Sequence, residues 1–139
     1  MEPLISIVDD DKAVRDALQR LLQAYGFATA VFASAEQFLS RAEAQSASCL
    51  ILDVRMPGMT GLALHDYLIS AGCRIPTILI TACPTSGERR RAIASGVVSY
   101  LAKPLSEQAL LDTIREVLED GGQADGSAGL SGQVSTPRI

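Results

Sequence analysis

A chain of 139 residues with 47% hydrophobic and 20% charged side chains can build one domain around a real core, which excludes wholesale disorder. A net charge of −4 argues against direct contact with nucleic acid, which draws on basic surfaces.

Strand and helix patterns then alternate. Leu4 to Val8 is a short β-prone run. Val14, Ala17, Leu18, Leu21, Leu22 and Tyr25 recur at helical spacing, and Gly26 closes that helix. Phe27 to Phe32 gives a second strand, and Ser34 with Gln37 three residues on has the form of a capping box opening a second helix. Ser48 to Leu52 is a third strand, followed by a helix carrying Leu64, Tyr67, Leu68 and Ala71 and ending near Gly72. Thr77 to Ile80 predicts a fourth strand, Ser86 to Ser95 a fourth helix stopped by Gly96, and Val98 to Leu101 a fifth strand. Ser106 can cap a last helix that buries Leu110, Ile114, Val117 and Leu118. Strands alternating with helices imply a parallel sheet covered on both faces, and the near-continuous apolar strands agree. The expected class is α/β, a flavodoxin-like doubly wound (βα)5 sheet with strand order 2-1-3-4-5. After Asp120 the composition turns to glycine and serine, so residues 1–120 are expected to form the domain and 121–139 a flexible tail or linker.

In such sheets, ligands bind beyond the carboxyl ends of the strands. Asp9-Asp10-Asp11, Asp53, Thr81 and Lys103-Pro104 all fall there. Clustered carboxylates repel one another unless a cation relieves them, and hard oxygen donors without thiolate partners favour Mg²⁺. Asp9, Asp10 and Asp53 are the candidate ligands. Asp11 fits a plain helix cap. A strand-end carboxylate at Asp53 can act as an oxygen nucleophile toward phosphorus, with the Lys103 ammonium and the Thr81 hydroxyl facing the charge on the transferring group. Taken singly, Thr81 is an ordinary strand residue and Lys103 a surface lysine; their joint placement gives them meaning.

Together, Ile7-Val8-Asp9-Asp10-Asp11, Leu52-Asp53 with Val54-Arg55-Met56-Pro57-Gly58-Met59-Thr60-Gly61, Ile80-Thr81-Ala82 and Tyr100-Leu101-Ala102-Lys103-Pro104 resemble a bacterial two-component response-regulator receiver domain. The resemblance spans residues 4 to about 119. Phe32-Ala33-Ser34-Ala35-Glu36-Gln37-Phe38-Leu39 resembles the FixJ-like subgroup, whose members usually carry a C-terminal LuxR-like DNA-binding domain. The resemblance implies that Asp53 accepts phosphate from a sensor histidine kinase. It implies that Asp9, Asp10, Asp53 and the backbone carbonyl of Arg55 hold Mg²⁺. It also implies that Thr81 and Lys103 bond the phosphoryl oxygens, and that Thr81 and Tyr100 switch the face made by the fourth helix, fifth strand and fifth helix. That face would control homodimerisation or a transcriptional output. The chain would be a signalling phosphoacceptor rather than an enzyme.

Some positions depart from the family pattern. Val97 replaces a usual alanine, and Cys83 stands where a polar residue is more common; with Arg55 it would flank the phosphate entrance. Arg89-Arg90-Arg91 reads first as a solvated face and second as a surface for an acidic partner. His65 is expected at the surface, and Met56 and Met59 in loop packing. The three cysteines, Cys49, Cys73 and Cys83, are odd in number and lack metal-site spacing, so they read as reduced thiols. With no apolar run long enough for a membrane span, the expected address is cytoplasmic and the membrane is not an expected partner. An alternative, a phosphatase of the haloacid-dehalogenase type, needs an acid two residues after the nucleophile, where Arg55 stands. A flavin binder needs a hydroxyl- and glycine-rich loop where the three aspartates are.

Overall fold

The computed structural model describes residues 3–41 and 45–122, with side chains to residue 119. Ten elements alternate: β1 (Leu4–Val8), α1 (Lys12–Ala24), β2 (Ala28–Phe32), α2 (Ala35–Leu39), β3 (Cys49–Asp53), α3 (Gly61–Ser70), β4 (Thr77–Thr81), α4 (Ser86–Ala94), β5 (Ser99–Ala102) and α5 (Glu107–Gly122). The strands form one parallel sheet in the order β2-β1-β3-β4-β5, as expected. Parallel pairing needs a crossover between successive strands, and α1 to α4 supply the four, while α5 follows the last strand. Beyond Gly122, the tail expected over 121–139 lies outside the described residues.

Alternation along the strands divides the core in two. Ile5, Ile7, Ile51, Ile78 and Ile80 meet Leu18 and Leu22 of α1 and Leu110, Ile114 and Val117 of α5. Val8, Leu50, Leu52 and Leu79 point the other way, onto Phe38 of α2, Leu64 and Leu68 of α3 and Ala92 of α4. Each buried leucine or isoleucine contributes about 1.5–3 kcal/mol relative to exposure. Packing, more than intrinsic propensity, must therefore hold a helix as short as α2. Ser34 Oγ accepts from the Gln37 N–H at 3.1 Å. The Gln37 side chain returns one residue further than in a standard capping box, accepting from the Ala33 N–H at 2.9 Å. Phe38 then meets Phe32 edge to face, with ring centroids 5.5 Å apart.

The face of α3 is rotated from the expected one. Leu64 and Leu68 are buried, but Tyr67 is 51% exposed and Ala71 is exposed, whereas His65, expected outside, is 2% exposed. Gly61, Leu64, His65 and Leu68 share one helical stripe, and that stripe faces the sheet. Burial holds the His65 imidazole below its usual titration range. Three strands end one residue later than expected, β5 at Ala102 among them. β3 includes Asp53 and β4 includes Thr81, so both side chains stand on the last strand residues rather than on loops.

Candidate functional site

The sheet ladder fixes the site. Just past β1, the Asp9 N–H donates to the Phe32 carbonyl at 3.1 Å; just past β5, the Lys103 N–H donates to the Thr81 carbonyl at 2.8 Å. Asp53 is paired in register with Ile80, and Thr81 with Ala102. Four strands thus deliver Asp9, Asp53, Thr81 and Lys103 to one edge. Arg15 of α1 adds a tether, its guanidinium donating to the Asp9 carbonyl at 2.8 Å. Asp11 caps α1 as anticipated, accepting from the Ala13 N–H at 2.9 Å.

Asp9 and Asp53 are buried, while Asp10 is exposed at the mouth. One carboxylate oxygen from each lies within 4.8 Å of the other two. The Lys103 ammonium sits 3.0 Å from Asp9 Oδ2 and 3.4 Å from Asp53 Oδ1. Three carboxylates facing one ammonium leave two negative charges uncompensated, the charge of a divalent cation. Asp9 Oδ1 accepts the Asp11 N–H, but the enclosed Oδ2 meets Lys103 as an ion pair without hydrogen-bond geometry, and no other partner approaches it among the described residues. A buried oxygen of this kind suits a metal, as do all-oxygen donors. Burial, reinforced by the Asp9 charge, pushes the Asp53 carboxyl up to about 6. Burial also works against the Lys103 ammonium. The close, paired carboxylate of Asp9, with Asp53 behind it, outweighs burial and holds Lys103 above its usual range.

Thr81 is fully buried, and its hydroxyl accepts the Cys83 N–H at 3.1 Å. Tyr100 is only 3% exposed. Its hydroxyl donates to Glu88 Oε1 and accepts the Thr85 N–H at 3.2 Å, and the Arg89 guanidinium lies 5.5 Å from its ring centre. Arg89, Arg90 and Arg91 are all exposed, as are Arg55 and Cys83. Met56 is buried and Met59 packs against the core, as expected for loop packing.

Comparison with known proteins decides the family. Residues 5–115 match the response regulator receiver domain. The chain belongs to that family. The receiver is 40% identical over 118 residues to the response regulator protein TmoT of Ectopseudomonas mendocina, a match covering 85% of this chain and 54% of that protein. Among solved structures, it is similar to the response regulator StyR, at 39% identity and a TM-score of 0.75, over 86% of this chain and 60% of that one. It is likewise similar to FixJ-N, at 32% identity and a TM-score of 0.77, over 86% and 95% of the two chains. The receiver spans about half the length of TmoT. No helix among the described residues is long and apolar enough to cross a membrane.

Two residues that matter to the geometry were not singled out in the sequence. Gly61 opens α3 against the backbone of Asp53; the available signal was a glycine at a helix start, where a better helix former would ordinarily stand. Glu88 reads as a dipole-compensating acid in the first turn of α4, and nothing local announces that its carboxylate reaches β5.

Proposed function

We propose that Asp53 is the phosphoacceptor of this receiver, taking its phosphoryl group from the phosphohistidine of a sensor histidine kinase in the cytoplasm. The observation that carries this is a buried, strand-end carboxylate 3.4 Å from an ammonium and grouped with two further carboxylates. The Asp53 oxygen forms the new bond to phosphorus as the phosphorus–nitrogen bond breaks, and the imidazole leaves with the electron pair and regains a proton from solvent. Lys103 neutralises one phosphoryl oxygen, and the Thr81 hydroxyl donates to another once it turns from the Cys83 N–H. Asp9, Asp10, Asp53 and the Arg55 carbonyl would hold Mg²⁺, which when bound offsets charge on the phosphoryl oxygens. The phosphoryl group ends on the protein itself, so the receiver is a stoichiometric switch rather than an enzyme. The phosphatase alternative is disfavoured because Arg55 occupies the position its second acid would need.

Incubation with acetyl phosphate and Mg²⁺, followed by intact mass, tests the assignment: the expected gain is one phosphoryl unit, abolished by chelating the metal. Gain without a divalent cation would overturn the metal requirement. In a direct titration, Asp10→Ala should bind Mg²⁺ at least tenfold more weakly than wild type, the order of loss typical when support for a metal is removed. Equal affinity would remove Asp10 from the ligand set.

The output we propose is a change of the α4–β5–α5 face that controls homodimerisation or a transcriptional partner. Tyr100 starts from a buried position, so switching begins by altering its bonds to Glu88 and Thr85 rather than by filling a vacant space. Ile93 and Val98, 49% and 44% exposed, offer apolar surface on that face. Arg89, Arg90 and Arg91 could pair with Asp112 and Glu116 of a second copy. A coupling of about 1–3 kcal/mol, roughly 5–150-fold, is typical of such switches. Beryllofluoride, a phosphoryl mimic, should therefore raise the sedimentation coefficient at low salt, and less so at 0.5 M salt, where charges are screened. An unchanged monomer at high protein concentration and low salt would leave a different protein as the output partner.

A further inference from the structure

Glu88 has partners in three parts of the receiver. Its N–H donates to Thr85 Oγ1 at 3.0 Å within the cap of α4. Its Oε1 accepts the Tyr100 hydroxyl from β5. Its Oε2 faces the Arg55 guanidinium, 3.9 Å away, from the loop that follows Asp53. The Glu88 side chain is 13% exposed and that of Arg55 57%. Both line an open cavity of about 500 Å³, together with Arg91, Val54, Met56 and Leu62.

We propose that Glu88 is a positioning residue joining the phosphoacceptor loop to β5: it holds Arg55 away from Asp53 at rest, and a phosphoryl group on Asp53 draws the guanidinium off it. The proposal rests on Asp53 being the phosphoacceptor. Arg55 is two residues from Asp53 in sequence, and its contact with Glu88 is long and half in solvent, so it is a weak pair. A phosphoryl group carries more charge than one carboxylate and matches the two-pronged guanidinium, so it competes well for Arg55. The open cavity gives the arginine room to turn. Once Arg55 leaves, the Glu88 carboxylate keeps Tyr100 as its one side-chain partner among the described residues. Phosphorylation then reaches α4 and β5 through charge, by a route separate from Thr81. Arg55, once over the phosphoryl group, covers the side from which water would attack.

Three variants test this: Glu88→Gln, Arg55→Ala and the pair. Glu88→Gln keeps an acceptor for Tyr100 but not the charge that holds Arg55. Each protein is loaded from acetyl phosphate, the donor is removed, and loss of the phosphoryl group is followed by mass. Glu88→Gln should slow that loss by roughly 2- to 30-fold, the range over which residues along a coupling route act. In the Arg55→Ala background it should change nothing. A second measurement needs no phosphorylation. Burial and then the Glu88 bond hold the Tyr100 phenol above its usual range. With Tyr25 and Tyr67 replaced by Phe to leave one signal, Glu88→Gln should lower the Tyr100 absorbance midpoint. Equal slowing with and without Arg55, or an unmoved midpoint, would overturn the proposal while leaving Asp53 as phosphoacceptor. A wild-type protein that takes up no phosphoryl group would overturn both.

Discussion

Asp53→Asn should gain no phosphoryl group under conditions where the wild-type receiver gains one. A neutral amide is a poor nucleophile toward phosphorus, and the other carboxylates have different tasks: Asp9 is tied to Lys103 and to the Asp11 N–H, and Asp11 caps α1. Gain of one unit by the variant would overturn Asp53 as the acceptor. The same change should make the metal-free protein more stable at neutral pH. Burial and the neighbouring Asp9 push Asp53 up to about 6 in the folded chain, against 3.8 for a free side chain. The folded state therefore binds this proton more tightly than the unfolded state, so ionisation costs stability. That cost is absent below about pH 4, grows through about pH 6, and is complete above it. At one pKa unit per 1.36 kcal/mol it amounts to at most about 3 kcal/mol. In chelated buffer, urea unfolding should show the variant more stable than wild type at pH 7.5 and nearly equal to it at pH 4. Saturating Mg²⁺ should erase the difference at pH 7.5 by binding only the wild-type trio well. Equal stability at pH 7.5 without metal would mean that Lys103 alone balances the pocket.

Gly61→Ala should be among the most damaging single-methyl changes in the receiver. A Cβ built on Gly61 would lie 2.2 Å from the Asp53 carbonyl oxygen and 2.9 Å from its carbon. Both are backbone atoms that cannot rotate away, and the Gly61 N–H already holds the Val54 carbonyl at 2.9 Å. The chain must therefore shift at Asp53 itself, at a cost of about 2–3 kcal/mol. Gly72→Ala is the control. Gly72 has φ +82° with nothing within 4 Å of its virtual Cβ, so it loses only the ease of a left-handed backbone, about 1 kcal/mol. Denaturant unfolding should rank the two in that order, and Mg²⁺ titration should weaken for Gly61→Ala alone. Similar unfolding costs would show that the α3 start can slide without disturbing Asp53.

The fold was legible because each strand is a short apolar run followed by its own helix, and the alternation admits few topologies. The site was legible for the same reason. Strand ends are visible in sequence as the point where apolar residues stop, and parallel strands bring those ends together. What failed was orientation within elements and contact across them. On α3, Tyr67 and His65 lie on different faces, and hydrophobicity alone favours tyrosine as the inward residue. The sheet instead receives the stripe of Gly61, Leu64 and Leu68, which carries His65 inward with it. Glu88 and Tyr100 are 12 residues apart, and no local periodicity links the first turn of a helix to the following strand. One-residue errors at Leu52 and Ile80 came from ending strands where apolar character ended, although the ladder extends through polar Asp53 and Thr81.

Lys103 and Tyr100 belong to the outermost strand of the sheet or follow it directly, while Asp9 and Asp53 stand at its centre. β1 and β3 are bonded along both flanks, whereas β5 is bonded only to β4. The negative pole of the pocket is thus anchored on strands bonded along both flanks, and its positive counterpart follows an edge strand bonded along one. Any sideways yielding of that margin carries the ammonium and the aromatic ring together. The charge balance of the pocket and the shape of the outer surface are therefore tied to one edge strand.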